Sequence, residues 1–223
     1  MEYVGFEALL LSGRIERRED ARETCVVLLA GRAQLFGLGE AARDSVFDGP
    51  PTALYVPPGT TWWAEGEAEL GICTAPASGR LEPRLLDAPE LSTRGAGTEE
   101  RYIANILMES EEAESLLVTE VVTPAGHWSS YPPHKHDTDD PPNETLLEET
   151  YYHRLRDGRG FAFQRVYTDD RSLDEGVAVT DGDVVLVPKG YHPVVADARS
   201  DLYYLNVMAG PVRQWRVTVA PGY

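Results

Sequence analysis

The segment Ala53-Leu54-Tyr55-Val56-Pro57-Pro58-Gly59 has a counterpart 131 residues later, Val184-Val185-Leu186-Val187-Pro188-Lys189-Gly190; each is an apolar run ending in a P-x-G turn. Upstream, Glu23-Thr24-Cys25-Val26-Val27 matches Glu149-Thr150-Tyr151-Tyr152-His153 at an offset of 126 residues, and a glycine turn follows each, at Gly31 and Gly158. Two strand-and-turn units in the same order and at nearly the same spacing predict two copies of one β barrel. The remaining apolar runs agree. They are short, bounded by Gly, Pro, Asp or Asn, and predict strands at 25–30, 53–56, 68–74, 115–123, 151–155, 161–167, 183–187, 201–207 and 215–219. Helical patterns are confined to 84–91 and 108–114, and neither sustains a 3.6-residue period. The fold class expected is therefore all-β, sandwich or barrel. The two copies are joined by 74–97, which carries Pro76, Pro83, Pro89 and Gly95-Ala96-Gly97, so the domains are read as 1–95 and 96–223.

With 223 residues and 42% hydrophobic content, the chain can build a substantial core. Its 20 Lys+Arg against 37 Asp+Glu give a net charge of −17, which repels phosphate backbones and anionic lipid surfaces, so neither nucleic acid nor membrane is an expected partner. No apolar run reaches the roughly 18 residues of a membrane span, and the start, MEYVGFEALLLSGRIE, has no basic segment of a secretory signal. Cys25 and Cys73 sit singly in apolar runs without CxxC spacing; they read as structural thiols of a cytoplasmic protein.

The chemistry falls in the second copy. All five histidines, at 127, 134, 136, 153 and 192, lie beyond residue 126. In Pro133-His134-Lys135-His136-Asp137, strand geometry puts His134 and His136 on one face and Lys135 on the other, so both imidazoles can reach one metal ion. A carboxylate from Glu149 and a third imidazole from His192, just past the second P-x-G turn, complete a four-ligand set. Glu148 is the rival carboxylate, but it projects from the opposite face, and the repeat match favours Glu149. The first copy keeps Glu23 and the Pro57-Pro58-Gly59 turn but has no His-x-His pair, and Trp62 stands where a histidine is expected. His153 shares parity with Glu149 and is expected to face the same pocket, or else to be an ordinary hydrogen-bonded histidine.

His134-x-His136, a following Glu, and Gly182 leading to Pro188-x-Gly190-x-His192 together resemble the two metal motifs of the cupin superfamily. Longer strings are similar to the bacterial 5-deoxy-glucuronate isomerase family: Trp128-Ser129-Ser130-Tyr131-Pro132-Pro133-His134-Lys135-His136-Asp137, Leu147-Glu148-Glu149-Thr150-Tyr151-Tyr152-His153-Arg154 and Tyr203-Tyr204-Leu205-Asn206-Val207-Met208-Ala209-Gly210. The match is dense from about 118 to 215 and thin over the first 90 residues. The resemblance implies a bicupin with an active C-terminal barrel, in which 5-deoxy-D-glucuronate becomes 5-dehydro-2-deoxy-D-gluconate during inositol catabolism. It also implies zinc, although three His and one Glu suit Mn²⁺ or Fe²⁺ as well. A small anionic sugar is the expected partner, and a homo-oligomer is compatible with the resemblance.

Aldose–ketose conversion moves a hydrogen between C1 and C2, and a proton-transfer route needs a base within hydrogen-bond reach. Catalytic candidates are His153, Tyr151, Lys189 and a metal-bound hydroxide. An anionic substrate in so acidic a protein calls for local positive charge, for which Arg154, Arg165 and Lys189 are candidates. Gln164 and Asn206 are candidates to hydrogen-bond sugar hydroxyls, and Tyr204 to stack or donate. The tryptophans read as packing, with Trp62-Trp63 filling the first barrel. A metal-dependent cupin oxidoreductase or dioxygenase and a non-catalytic sugar-binding bicupin are the alternatives from other classes.

Overall fold

A computed structural model describes residues 1–87, 89 and 91–223. The first sheet comprises β1 (Gly5–Arg18), β2 (Arg22–Leu35), β3 (Gly39–Arg43), β4 (Thr52–Val56), β5 (Thr61–Pro76) and β6 (Arg84–Asp87), in the order β1-β5-β2-β4-β6 with β3 joined to β2. The later elements are β7 (Leu91–Arg94), β8 (Arg101–Leu107), β9 (Leu117–Thr123), β10 (Trp128–Ser129), β11 (His134–Lys135) and β12 (Glu148–Leu155). They continue with β13 (Ala162–Tyr167), β14 (Asp174–Val179), β15 (Val184–Val187), β16 (Val194–Val195), β17 (Leu202–Ala209) and β18 (Thr218–Val219). These form a six-stranded sheet, β15-β12-β17-β9-β8-β7, a four-stranded sheet, β10-β16-β13-β14, and the small pair β11-β18.

The internal repeat has a structural counterpart. Strand β2, which carries Glu23, lies between β4 and β5; strand β12, which carries Glu149, lies between β15 and β17. Both P-x-G glycines need the left-handed region, with φ of +76° at Gly59 and +92° at Gly190, where a side chain is disfavoured. At Gly190 an added Cβ would also run into the Tyr167 carbonyl.

Alternation along the strands builds three cores. On β2, Val26 and Leu28 face the inside of the first sheet with Leu54, Val56, Trp62 and Leu70. Cys25, Val27 and Leu29 face the other way, against Leu116, Val118, Tyr203, Leu205 and Val207 of the second half. That two-sided burial is why the run reads as continuously apolar rather than alternating. A third core, including Val121, Tyr151, Val166, Val187, Val194 and Leu202, lies between the six-stranded and four-stranded sheets. The fold is the all-β bicupin. Trp62 fills the first barrel as expected, but Trp63 turns outward beneath the Arg14 guanidinium, 4.1 Å from its ring centroid.

Buried carboxylates tie the halves together. Glu23 accepts from the amides of Glu114, Ser115 and Leu116 and from the Tyr55 hydroxyl at 2.6–2.9 Å. Arg43 donates two parallel hydrogen bonds, 2.9 and 2.8 Å, to Glu120, which also accepts from Tyr203. Glu148 accepts from the amides of Glu2, Tyr3 and Val4, so it anchors the start of the chain and leaves the pocket to Glu149.

All nine expected strands contain strand, although 215–219 contracts to Thr218–Val219. The helical expectations fail. Residues 84–87 pair with β4, Leu85 opposite Leu54 and Leu86 opposite Ala53, because burial against that strand outweighs local propensity; residues 88 and 90 of that stretch lie outside the described residues. The acidic segment 108–114 forms turns and bends, and its Glu114 accepts from the amides of Ser78, Gly79 and Arg80 and from the Ser78 hydroxyl. Against partial burial, those donors hold the Glu114 pKa down to about 2. Because the folded value lies below the unfolded one, near 4.3, this stabilisation is complete above pH ~4.3 and is lost as pH falls toward 2. Acid unfolding of Glu114→Gln should therefore show a shallower loss of stability over that window than the wild type, measured by denaturant titration at stepped pH. Among the described residues, no helix is long and apolar enough to cross a membrane.

Candidate active site

Residues two apart on neighbouring strands converge on one cavity. Strand β8 contributes Arg101, Ile103 and Asn105, and β12 contributes Glu149 and Tyr151. Strand β17 adds Tyr204, Asn206 and Met208, the short β11 adds His134, and connecting segments supply Ser130 and Trp215. Period-2 alternation thus sends Arg101, Ile103 and Asn105, Glu149 and Tyr151, and Tyr204, Asn206 and Met208 to one cavity.

Three expected ligands meet at the floor. Glu149 Oε2 stands 3.0 Å from both His136 Nε2 and His192 Nε2, and all three residues are buried. His136 Nδ1 donates to the Leu147 carbonyl at 3.0 Å and His192 Nδ1 to the Gly190 carbonyl at 2.8 Å. Each Nδ1–H bond fixes the tautomer and presents a bare Nε2 lone pair to the carboxylate. Lone pairs facing one another need a positive charge between them, either a proton or a metal ion. Without a metal, the pair shares charge: burial alone would lower His136, but Glu149 outweighs it and raises its pKa. Glu149 itself stays well below the ordinary carboxylate range despite burial, held there by His192 and His136. The three donor atoms lie close enough together to be shared by one cation. The 3.0 Å approach of His192 Nε2 to Glu149 is not aligned as a hydrogen bond, so among the described residues this nitrogen has no hydrogen-bond partner.

The fourth expected ligand stands aside. His134 lines the cavity, with its ring centroid 5.0 Å from that of His192 and 6.4 Å from that of His136, outside the tight group of three. Its Nδ1 donates to the Pro132 carbonyl at 2.9 Å, so Nε2 is bare here too. Burial, then the neighbouring His192, pushes its pKa down to about 3. Lys135 points away, as expected, to Asp137 and Glu144. Asp137 in turn accepts from the Gly190 amide at 2.8 Å, linking the two ligand loops.

Of the other expected site residues, Tyr151, Tyr204 and Asn206 line the cavity. Tyr151 shares a 2.8 Å hydrogen bond with Ser130, and Tyr204 a 2.6 Å one with Ser129; burial raises both phenols, which keeps them neutral. Asn206 donates to Glu149 Oε1 and so orients the carboxylate. His153 and Gln164 do not reach the cavity. His153 is fully buried behind Tyr151, 3.0 Å from Gln164 Oε1, and burial lowers its pKa to about 4. The remaining three are corrections. Arg154 lies on the opposite face of β12 from Glu149, paired with Glu69 and Asp181. Arg165 is exposed and paired bidentately with Asp174, because its strand neighbour Gln164 takes the inward position. Lys189 is exposed on the turn before Gly190. Sequence reasoning missed Arg94, Arg101 and Trp215, all of which line the cavity. The alternation Arg101-x-Ile103-x-Asn105 was the available signal.

A family model described as the KduI/IolB family matches residues 1–223. The chain belongs to the KduI/IolB family. Curated relatives of this chain include several named 5-deoxy-glucuronate isomerase. The 5-deoxy-glucuronate isomerase of Geobacillus kaustophilus is 52% identical over 227 residues, 96% of this chain and 82% of that protein. The 5-deoxy-glucuronate isomerase of Bacillus subtilis is 42% identical over 236 residues, 100% and 87% of the two chains. Among solved structures, an IolB-like protein from Salmonella typhimurium LT2 superposes with a TM-score of 0.93 at 47% identity, covering 98% of this chain and 88% of that one. Oxalate decarboxylase from Bacillus subtilis gives a TM-score of 0.65 at 12% identity over 98% of this chain and 70% of that one, a likeness of fold alone.

Proposed function

We propose that this protein is a 5-deoxy-glucuronate isomerase, an aldose–ketose isomerase that converts 5-deoxy-D-glucuronate to 5-dehydro-2-deoxy-D-gluconate. What carries the reading is the 52% identity to a curated enzyme of that name across 96% of the chain. The cavity fits such a substrate: hydroxyl, amide and guanidinium groups line it, and its floor is built for a cation. We assign His136, Glu149 and His192 as ligands of a divalent metal, with His134 as the fourth. Zinc is the first choice, and Mn²⁺ and Fe²⁺ suit the same donors. Bound there, the metal supplies Lewis acidity toward the sugar carbonyl and the adjoining hydroxyl.

The chain's own residues have separable tasks. Asn206 holds Glu149 in place through Oε1. Tyr151 and Ser130 present two coupled hydroxyls to the sugar, and Tyr204 with Ser129 presents another pair. Being neutral, these phenols donate or accept hydrogen bonds to sugar oxygens rather than act as bases. His153 and Gln164 support from behind: Gln164 Nε2 is 3.4 Å from the His192 carbonyl, which steadies the loop carrying that ligand.

A division into two barrels is part of the same proposal, with the expected boundary at 95/96 corrected to lie ahead of Leu91–Arg94, which pairs with β8 in the second sheet, and with the first barrel as a structural partner whose interior Trp62 fills. So are a role in myo-inositol catabolism, a cytoplasmic location and a homo-oligomer. The test is proton NMR of 5-deoxy-D-glucuronate incubated with protein loaded with each metal in turn. Loss of the C1 aldehyde and hemiacetal proton signals with growth of the 2-ketose is the expected outcome. Oxygen uptake without ketose would favour a cupin oxidoreductase, and tight binding without turnover a sugar-binding bicupin.

A further inference from the structure

We propose that Arg94 and Arg101 form a carboxylate clamp at the cavity mouth that makes the site select a uronate over a neutral aldose and fixes which end of the sugar enters first. The inference deepens the isomerase reading and rests on it for the identity of the substrate. The two arginines are direct partners across the β7–β8 hairpin, Arg94 opposite Arg101, so their side chains leave the same face. Both line the cavity. Like charges placed directly opposite on a sheet repel, and an anion between them removes the conflict.

Among the described residues, neither Arg94 nor Arg101 forms an ion pair, whereas Arg43, Arg154, Arg156 and Arg165 all do. Arg22, Arg84 and Arg213 also form no ion pair and donate to backbone carbonyls instead; what distinguishes Arg94 and Arg101 is that they stand opposite one another on a cavity wall. Both are nevertheless oriented. Arg94 lies over the Trp215 ring, 5.5 Å from its centroid, and Arg101 Nη1 donates to the Glu99 carbonyl at 3.0 Å. Each guanidinium keeps further N–H donors for a planar bidentate acceptor.

Depth gives the polarity. Arg94 is exposed and Arg101 half-buried, whereas Glu149 and Asn206 are buried at the floor. A hexuronic acid carries its carboxylate at C6 and its aldehyde at C1, at opposite ends of the chain. Seating C6 between the arginines directs C1 and C2 down to the His136–Glu149–His192 floor, where isomerisation must occur. A sugar with CH₂OH at C6 has nothing to offer the clamp and leaves the like-charge conflict in place.

The test compares wild type, Arg101→Lys, Arg101→Gln and Arg94→Gln/Arg101→Gln on two sugars: 5-deoxy-D-glucuronate and the matching 5-deoxy-hexose with CH₂OH in place of the carboxylate. Arg101→Gln should raise KM for the uronate about tenfold to a hundredfold, the value of charge-assisted hydrogen bonds, with a smaller effect on kcat. KM for the neutral sugar should not move. Arg101→Lys should fall between, since it keeps the charge and loses the fork, and the double variant should lose the preference for the uronate. Calorimetric Kd for both sugars, with metal content checked in each variant, gives a readout independent of turnover. An unchanged uronate preference in the double variant overturns the clamp. Wild type that binds the uronate without converting it overturns the isomerase reading alone, and the clamp is then judged on Kd. Wild type that neither binds nor converts the uronate overturns both.

Discussion

His192→Ala is expected to abolish isomerisation, by roughly three orders of magnitude or more, equivalent to at least about 4 kcal/mol of transition-state stabilisation. The reason is geometric. Among the described residues, His192 Nε2 is one of three donor atoms gathered at the floor, it stands 3.0 Å from Glu149 Oε2, and its orientation is fixed from behind by the Gly190 carbonyl. Nothing nearby substitutes for it, because His134 already occupies its own place beside it. The variant should also lose its stoichiometric metal on dialysis while its far-UV circular dichroism stays that of the wild type. His136→Ala and His134→Ala should lose metal and turnover in the same way. Elemental analysis alongside the NMR assay checks this, and full activity in any of the three would remove that residue from the ligand set.

Arg43→Ala should be strongly destabilising. The Arg43 and Glu120 side chains are 3% and 5% exposed, and their two parallel hydrogen bonds join the first sheet to β9 of the second. Removing one partner of a buried ion pair costs about 3–5 kcal/mol, because the other charge is left desolvated. Burial already raises the Glu120 pKa even with Arg43 in place, so the carboxylate has little tolerance for losing its partner. The three loop carbonyls that Arg43 also holds, those of Val46, Asp48 and Gly49, lose a donor at the same time. For a chain of this size the shift in Tm is roughly 6–20 °C. Arg43→Met combined with Glu120→Leu should recover much of the loss, since paired apolar replacements avoid the stranded charge. A loss under about 1 kcal/mol in Arg43→Ala would mean that Glu120 is hydrated or protonated at little cost.

The bicupin plan was legible because it is written in strand-length runs, turn glycines and a repeat, all of which are local signals. The fourteen-residue β1 was not. It is a sheet edge with one half-solvated face, so Glu7, Arg14 and Glu16 interrupt its apolar pattern. The convergence of His136, Glu149 and His192 was legible because they follow strand parity and the second P-x-G turn. The same parity, carried one step further, excludes Arg154, which alternates with His153, and Arg165, which alternates with Gln164. Arg94 and Arg101 were hidden because 84–91 reads as a weak helix and Gly95-Ala96-Gly97 as linker, so the hairpin that makes the two arginines partners shows only through tertiary pairing. Trp215 is on no strand at all; it reaches the cavity because Glu109 accepts from its backbone amide at 2.6 Å.

The most direct test of the metal centre is an anomalous difference map from crystals of zinc-loaded protein. One strong peak within bonding distance of His136 Nε2, His192 Nε2 and Glu149 Oε2 is the result expected. Stoichiometric zinc with its peak elsewhere, or a protein that isomerises the uronate at full rate after chelation has emptied it, would contradict the account.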